Sequence, residues 1–254
     1  MDQTMSASTN ASLDFGHRVT GLIYHEFLRN MQEHVKPKSY FEIGTLHGIT
    51  LANAKCASIA VDPVFRIQTD IVGEKPVCHL YQQTSDEFFA KHSLSEIFGE
   101  PVDFAFLDGM HLFEFLLRDF INTEKYCKKN SIIALHDCLP LDNYMTLRSQ
   151  DDPLWLNTKY TGYWTGDVWK IVPVLKKFRP DLAITILDCV GTGLVLVTNL
   201  DPNSTILADN CQALIEEHAY DFDADRLDAY WNSVTITPAE SLLDSTSLAA
   251  KFRL

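Results

Sequence analysis

Between Ser39 and His136 the chain repeats one arrangement, in which a short apolar run alternates with a longer segment of helical periodicity. The runs are Ser39–Ile43, Ser58–Asp62, Val77–Tyr81, Val102–Asp108 and Ser131–His136. Runs this short and this continuously apolar read as strands buried on both faces. Helix candidates between them lie near His47–Ala57, Thr84–Phe98 and Leu112–Lys128, with a short one around Arg66–Ile71. Strands joined by crossovers of that length run parallel, so the expectation is a doubly wound α/β sheet. In such a sheet ligands bind outside the carboxyl ends of the strands, which makes the polar residues ending each run the first candidates for function.

The flanks extend this plan. Val19, Leu22, Ile23, Phe27, Leu28 and Met31 recur at helical spacing, which predicts a leading amphipathic helix over Phe15–Val35, ended by Pro37. Pro140–Tyr163 is too long for an ordinary connection and reads as a functional loop or lid. Asp167–Phe178 reads as a helix, and Ala183–Asp188 and Gly193–Thr198 lie so close in sequence that they must form an antiparallel hairpin. Thr205–His218 and Asp223–Trp231 are helical and acidic, and a last apolar piece is Leu248–Phe252. One domain over 1–254 is expected: an N-terminal arm and helix (1–36), a core (37–200) with a lid loop at 140–165, and a helical extension (201–254).

The chain has 254 residues, 46% of them hydrophobic, which is ample for one large core and rules out disorder. Thirty-four acids against twenty-one Lys plus Arg give a net charge of −13, which disfavours nucleic acid as a partner. No apolar run approaches the ~20 residues that span a bilayer, and the N-terminus lacks the pattern of a signal peptide. A soluble, cytoplasmic protein with no membrane partner is expected. Its six cysteines are scattered and read as reduced thiols.

Glu42-Ile43-Gly44-Thr45-Leu46-His47-Gly48 is a strand running into a glycine turn. Glycines at 44 and 48 would let backbone approach a ligand, although a plain strand-to-helix turn explains them too. Asp62 ends the next strand, where this fold class holds the two hydroxyls of a ribose; the plainer role is a helix cap before Pro63. Thr84 and Ser85 follow the third run, as groups near an adenine edge or as a helix cap. A nicotinamide-type turn wants Gly-x-Gly-x-x-Gly, and this chain has Gly-Thr-Leu-His-Gly, which suits a nucleoside without a pyrophosphate. An NAD(P)-dependent oxidoreductase and a non-catalytic nucleoside-binding module are therefore the alternatives weighed.

With Asp-Phe-Ala-Phe-Leu-Asp-Gly-Met-His at 103–111 and Ile-Ile-Ala-Leu-His-Asp at 132–137, these motifs resemble the class I S-adenosylmethionine-dependent methyltransferases. The branch resembled ends one strand with Asp-Gly-x-His and the next with His-Asp. The likeness covers about residues 35–200. It implies a Rossmann-like sheet of seven strands, mostly parallel, with an antiparallel last strand. It also implies S-adenosylmethionine as cofactor, with Glu42, Gly44, Thr45 and Gly48 along its methionine and ribose part. By the same likeness Asp62 would hold the ribose hydroxyls, Thr84 and Ser85 would lie near the adenine, and Asp108 would join the cofactor-binding group. Lys129-Asn130-Ser131 stands where the family usually has a glycine pair.

Asp108, His111, His136 and Asp137 end two neighbouring strands and should face the transferred methyl group. Two roles stay open for them. One is a histidine base, with His111, His136 and Asp137 as the catalytic set. The other is a divalent metal site of Asp108, His136 and Asp137, resembling the triad of catechol-type O-methyltransferases, with a donor set suited to Mn, Fe or Zn. Tyr163, Trp164 and Asp167 are candidates for the wall of an acceptor pocket. The expected activity is methyl transfer to a small-molecule hydroxyl of saccharide or secondary-metabolite type. The C-terminal helices and Leu248–Phe252 are candidates for a homodimer contact or a cover over the acceptor.

Overall fold

The computed structural model describes residues 13–252, so most of the N-terminal arm lies outside the described residues. The strands are β1 Gly21–Ile23, β2 Ser39–Ile43, β3 Ala57–Val61, β4 Cys78–Tyr81, β5 Val102–Leu107, β6 Cys127–His136, β7 Ala183–Leu187, β8 Cys189–Val190, β9 Leu194–Thr198 and β10 Ile236–Thr237. The α-helices are α1 Tyr24–Val35, α2 Ser85–Lys91, α3 Leu94–Phe98, α4 Phe113–Glu124, α5 Ile171–Phe178, α6 Ile206–Asp209, α7 Cys211–Glu217, α8 Ala224–Ser233 and α9 Ser245–Lys251. Eight strands form one sheet in the order β10-β7-β9-β6-β5-β2-β3-β4, and β1 pairs with β8 separately. Within the large sheet only β9 is antiparallel, to both β6 and β7, as the hairpin expectation required. The sheet exceeds the expected seven strands because β10, from the C-terminal extension, adds in parallel to β7.

Side-chain alternation divides the core in two. Phe41, Ile43, Ala105, Leu107, Ile133 and Leu135 face α4 and α5, whereas Tyr40, Phe104, Phe106, Ile132 and Ala134 face α1 and α9. Pairing of Glu42 with Phe106 and of Phe106 with Ala134 puts Glu42 on the α1 side, and Asp108 and His136, two positions further on, follow it there. All five residues of β2 are buried, the signature of a strand covered on both faces.

Four sequence expectations are corrected. His47–Ala57 holds only a 3-10 turn at Leu51–Asn53, because Gly44, Leu46 and Gly48 all take positive φ and turn the chain off a helical path. Arg66–Ile71 is not a helix, since Arg66 and Gln68 donate their N–H groups to the carbonyls of Leu46 and His47 and strap the glycine turn. Thr84–Phe98 is two helices, broken where His92 is extended (φ −131°, ψ 151°). The leading helix starts only at Tyr24, because Gly21–Ile23 pairs with Cys189–Val190.

The chain after β6 enters the core before the long loop opens to solvent at Leu154 and Leu156. Cys138, Leu139, Leu141, Met145 and Leu147 are core residues, and the Tyr230 hydroxyl and Trp231 indole N–H hold the carbonyls of Cys138 and Pro140. The C-terminal extension likewise packs onto its own domain: Leu227, Trp231, Leu248 and Phe252 are buried in the two halves of the core. These four residues pack within the chain, whereas Ile206 of the same extension stays exposed.

Candidate active site

The connections from β2 lead to β3 on one side while β5 lies on the other, so the strand order reverses between β2 and β5. This switch point opens a crevice in a parallel sheet. Here the two strand ends touch. Asp108 N–H donates to the Ile43 carbonyl at 2.9 Å, and a Cβ on Gly44 would lie 1.9 Å from the Asp108 carbonyl oxygen. A Cβ on Gly48 would lie 2.5 Å from Ile71. At both glycines the place of a Cβ is taken by atoms of the chain itself.

On the cofactor side, Glu42 is fully buried and accepts the Tyr40 hydroxyl at 2.5 Å on Oε2, while Oε1 has no partner. Burial pushes its carboxyl up to about 7, against the lowering effect of the Tyr40 bond. The Thr45 hydroxyl lies close by, also buried, without a hydrogen bond of good geometry. Asp62 accepts the N–H groups of Leu46 and Val64, both at 2.7 Å, one on each oxygen. It caps no helix and instead ties the glycine turn to its own strand end, and each oxygen keeps capacity for a further donor. Thr84 is occupied as the cap of α2, in a reciprocal capping box with Glu87. Ser85 lies beside the buried carboxyl of Asp119, which burial pushes up to about 7.

The Glu42 environment makes stability depend on pH. The folded chain keeps this proton to about pH 7 and the unfolded chain releases it near 4.5, so burial of the charge destabilises the fold progressively as pH rises through that window. Glu42→Gln should remove this component, gaining on the order of 2–3 kcal/mol relative to the parent between pH 5 and pH 8 in urea unfolding. A constant difference across that range would refute it.

The acceptor side is a cluster of four. His111 Nε2 lies 3.2 Å from Asp137 Oδ2 and 3.7 Å from Asp108 Oδ1, and His136 Nδ1 lies 3.1 Å from that same Asp108 oxygen. His111 Nδ1 is 2.6 Å from the Trp164 carbonyl. A carbonyl only accepts, so Nδ1 carries the hydrogen and Nε2 is the ring nitrogen aimed at the carboxylates. Ligand atoms of Asp108, His111 and Asp137 all lie within 4.8 Å of one another. The set the geometry gathers for a metal therefore has His111 where the sequence reading put His136.

His136 is held differently. Its burial opposes charge, but Asp137 and Asp108 outweigh this and raise it to about 10. The hydrogen bonding agrees: Thr192 donates its hydroxyl hydrogen to Asp137, leaving its oxygen to accept from His136 Nε2 at 3.4 Å. In turn His136 and His111 hold the Asp137 carboxyl well below the usual carboxylate range, despite its burial.

Of the acceptor-wall candidates, Trp164 stacks on His111 with centroids 5.1 Å apart, and Tyr163 is exposed beside it. Asp167 is not available to a substrate. It is buried, takes the Phe113 N–H on one oxygen, and takes Arg148 and Lys170 on the other at 2.6 and 2.7 Å. Two residues that sequence reasoning missed stand in the cluster: Thr192, and Tyr24, whose ring lies 3.9 Å from that of His136. Neither belongs to a motif, and only the β1–β8 pairing and the turn after β8 bring them to the strand tips.

Residues 27–138 match the family model described as a methyltransferase domain. That stretch, under half of the chain, is similar to a methyltransferase domain. No curated protein matches its sequence. Among solved structures, an O-methyltransferase from Bacillus cereus in complex with S-adenosylhomocysteine is 12% identical, with 70% of this chain and 80% of that one covered and a TM-score of 0.51. A Podospora anserina methyltransferase, also bound to S-adenosylhomocysteine, is 15% identical over 70% and 78% of the chains, with a TM-score of 0.48. TomG, an O-methyltransferase from Streptomyces achromogenes in complex with S-adenosylmethionine, is 12% identical over 68% and 78%, with a TM-score of 0.47.

The Bacillus cereus, Podospora anserina and Streptomyces achromogenes structures hold S-adenosylhomocysteine or S-adenosylmethionine. The residues of this chain fit such a ligand: beside the Gly44 turn, Glu42 Oε1 and Thr45 Oγ1 are buried polar atoms without partners, the condition a bound polar ligand relieves. No helix among the described residues is long and apolar enough to cross a membrane.

Proposed function

We propose that the chain is a class I S-adenosylmethionine-dependent methyltransferase that acts on a hydroxyl oxygen of a small-molecule acceptor, and that Asp108, His111 and Asp137 are the groups that act on that hydroxyl. The observation that carries the reading is the convergence of their three ligand atoms within 4.8 Å at the tips of β5 and β6. The O-methyltransferase activity named for the Bacillus cereus neighbour supports an oxygen acceptor. Asp62, Glu42 and Thr45 are assigned to the cofactor, with Ser85 toward its adenine, and Trp164 and Tyr163 to the acceptor wall.

A divalent cation fits this cluster, because His111 gives its other N–H to a backbone carbonyl as ligating histidines do. One imidazole nitrogen with two carboxylates suits Mn, Fe or Zn, and such an ion lowers the pKa of a hydroxyl bound to it. The same His111 Nε2 supports a second reading, in which it accepts the hydroxyl proton directly. His136, holding both its protons, fixes the two carboxylates in place under either reading. Rate then comes chiefly from holding donor and acceptor in line. Six unpaired thiols support a cytoplasmic setting.

The test is incubation with S-adenosylmethionine and a panel of phenols, catechols and saccharides, read by mass spectrometry for a gained methyl group on oxygen. Methylation on nitrogen alone would overturn the oxygen assignment. For the metal, chelation should abolish turnover and Mn²⁺ should restore it, while His111→Ala should weaken Mn²⁺ binding at least about 10–100-fold in calorimetry. Full activity after chelation, with no metal by elemental analysis, would leave His111 as the base.

A further inference from the structure

Tyr24, the first residue of α1, lies outside the matched methyltransferase region and outside every motif. Pairing of β1 with β8 nonetheless delivers it to the strand tips. Its ring lies 3.9 Å from the His136 ring and 6.1 Å from Phe106, on the sheet face that also carries Glu42 and Asp108. A Cβ placed on Gly191, in the turn after β8, would be 3.6 Å from the Tyr24 ring and 3.9 Å from His136 Nε2, so the ring is wedged between that turn and the imidazole. The phenol is half-buried, and its hydroxyl makes no hydrogen bond among the described residues. Burial and the carboxylates of Asp108, Asp137 and Glu42 hold it in the protonated form.

The surroundings select what such a hydroxyl binds. Asp108 and Asp137 make the crevice acidic, which suits the sulfonium and ammonium of S-adenosylmethionine but repels its carboxylate. The one negative group of the cofactor needs a neutral donor that stays protonated. We propose that the Tyr24 hydroxyl donates to the carboxylate of the methionine end of the cofactor. Tyr24 is then a cofactor-binding residue contributed by the N-terminal helix, and its ring packs against the imidazole that organises the acceptor side. This rests on the cofactor assignment above.

Calorimetry with two ligands, each on the parent and on Tyr24→Phe, tests it. S-adenosylhomocysteine carries the amino-acid end, whereas 5′-methylthioadenosine lacks it. The variant keeps the ring and loses only the donor, so its affinity for S-adenosylhomocysteine should fall about 10–100-fold, the effect of one hydrogen bond to a charged group. Its affinity for 5′-methylthioadenosine should stay within about threefold, which also reports an intact site. Equal losses for both ligands, or no loss for either, would overturn the proposal. Failure of the parent to bind S-adenosylhomocysteine would instead overturn the cofactor assignment.

Discussion

Asp137→Asn should lower methyl transfer to the acceptor found with the panel by about 10²–10⁴-fold, the range expected when a group that moves or holds a proton is removed. The substitution isolates charge from shape. Asp137 has φ +59°, a left-handed conformation that asparagine tolerates better than most residues, and an asparagine oxygen can still accept the Thr192 hydroxyl. What disappears is the negative charge 3.2 Å from His111 Nε2 and 3.5 Å from His136 Nδ1. His111 loses the carboxylate that accompanies it, whether the partner is a cation or a proton.

Affinity for S-adenosylhomocysteine, by contrast, should stay within about threefold of the parent, because Glu42, Thr45 and Asp62 hold it from the β2 and β3 tips and Tyr24 and Ser85 through their own hydroxyls. Single-turnover rates and calorimetry on the same preparations decide it. Activity within about tenfold of the parent would show that Asp137 serves only the turn it occupies. Parallel loss of cofactor binding would move Asp137 from the acceptor side to the cofactor side.

How much of this was readable beforehand depends on how far apart the interacting residues are. The β2 boundaries follow from Ser39–Ile43 alone, since an all-buried strand announces itself by continuous apolar character. Asp108, His111, His136 and Asp137 were legible for a related reason: once the strands are parallel, residues ending adjacent strands meet at one edge. The glycine turn defeated local reasoning. Its periodicity favours a helix, but Gly44 must keep positive φ to pass the Asp108 carbonyl, a contact made by residues more than sixty positions apart. The orientations of the histidine rings follow from partners no motif contains, the Trp164 carbonyl for His111 and the Thr192 hydroxyl for His136. Asp167 was misassigned because an acid in an aromatic loop looks available, and only the fold reveals Lys170, Arg148 and the start of α4 around it.

That last correction yields the largest expected effect on stability. Asp167 and Lys170 are both almost wholly buried, with side chains 2% exposed, and the Lys170 ammonium is completed by the carbonyls of His218 and Tyr220. The other Asp167 oxygen serves α4, whose preceding residue Leu112 has no side-chain acceptor to cap the helix. Asp167→Ala therefore strands a buried cation and uncaps a helix in one step, and should cost about 3–5 kcal/mol. In a chain of this size that lowers the unfolding midpoint by roughly 6–20 °C. The double variant Asp167→Ala/Lys170→Met removes the stranded charge and should recover part of the loss. Recovery in the double variant separates this role from the sequence expectation: a residue that contacts substrate would leave the midpoint unchanged, raise KM, and gain nothing from the second substitution.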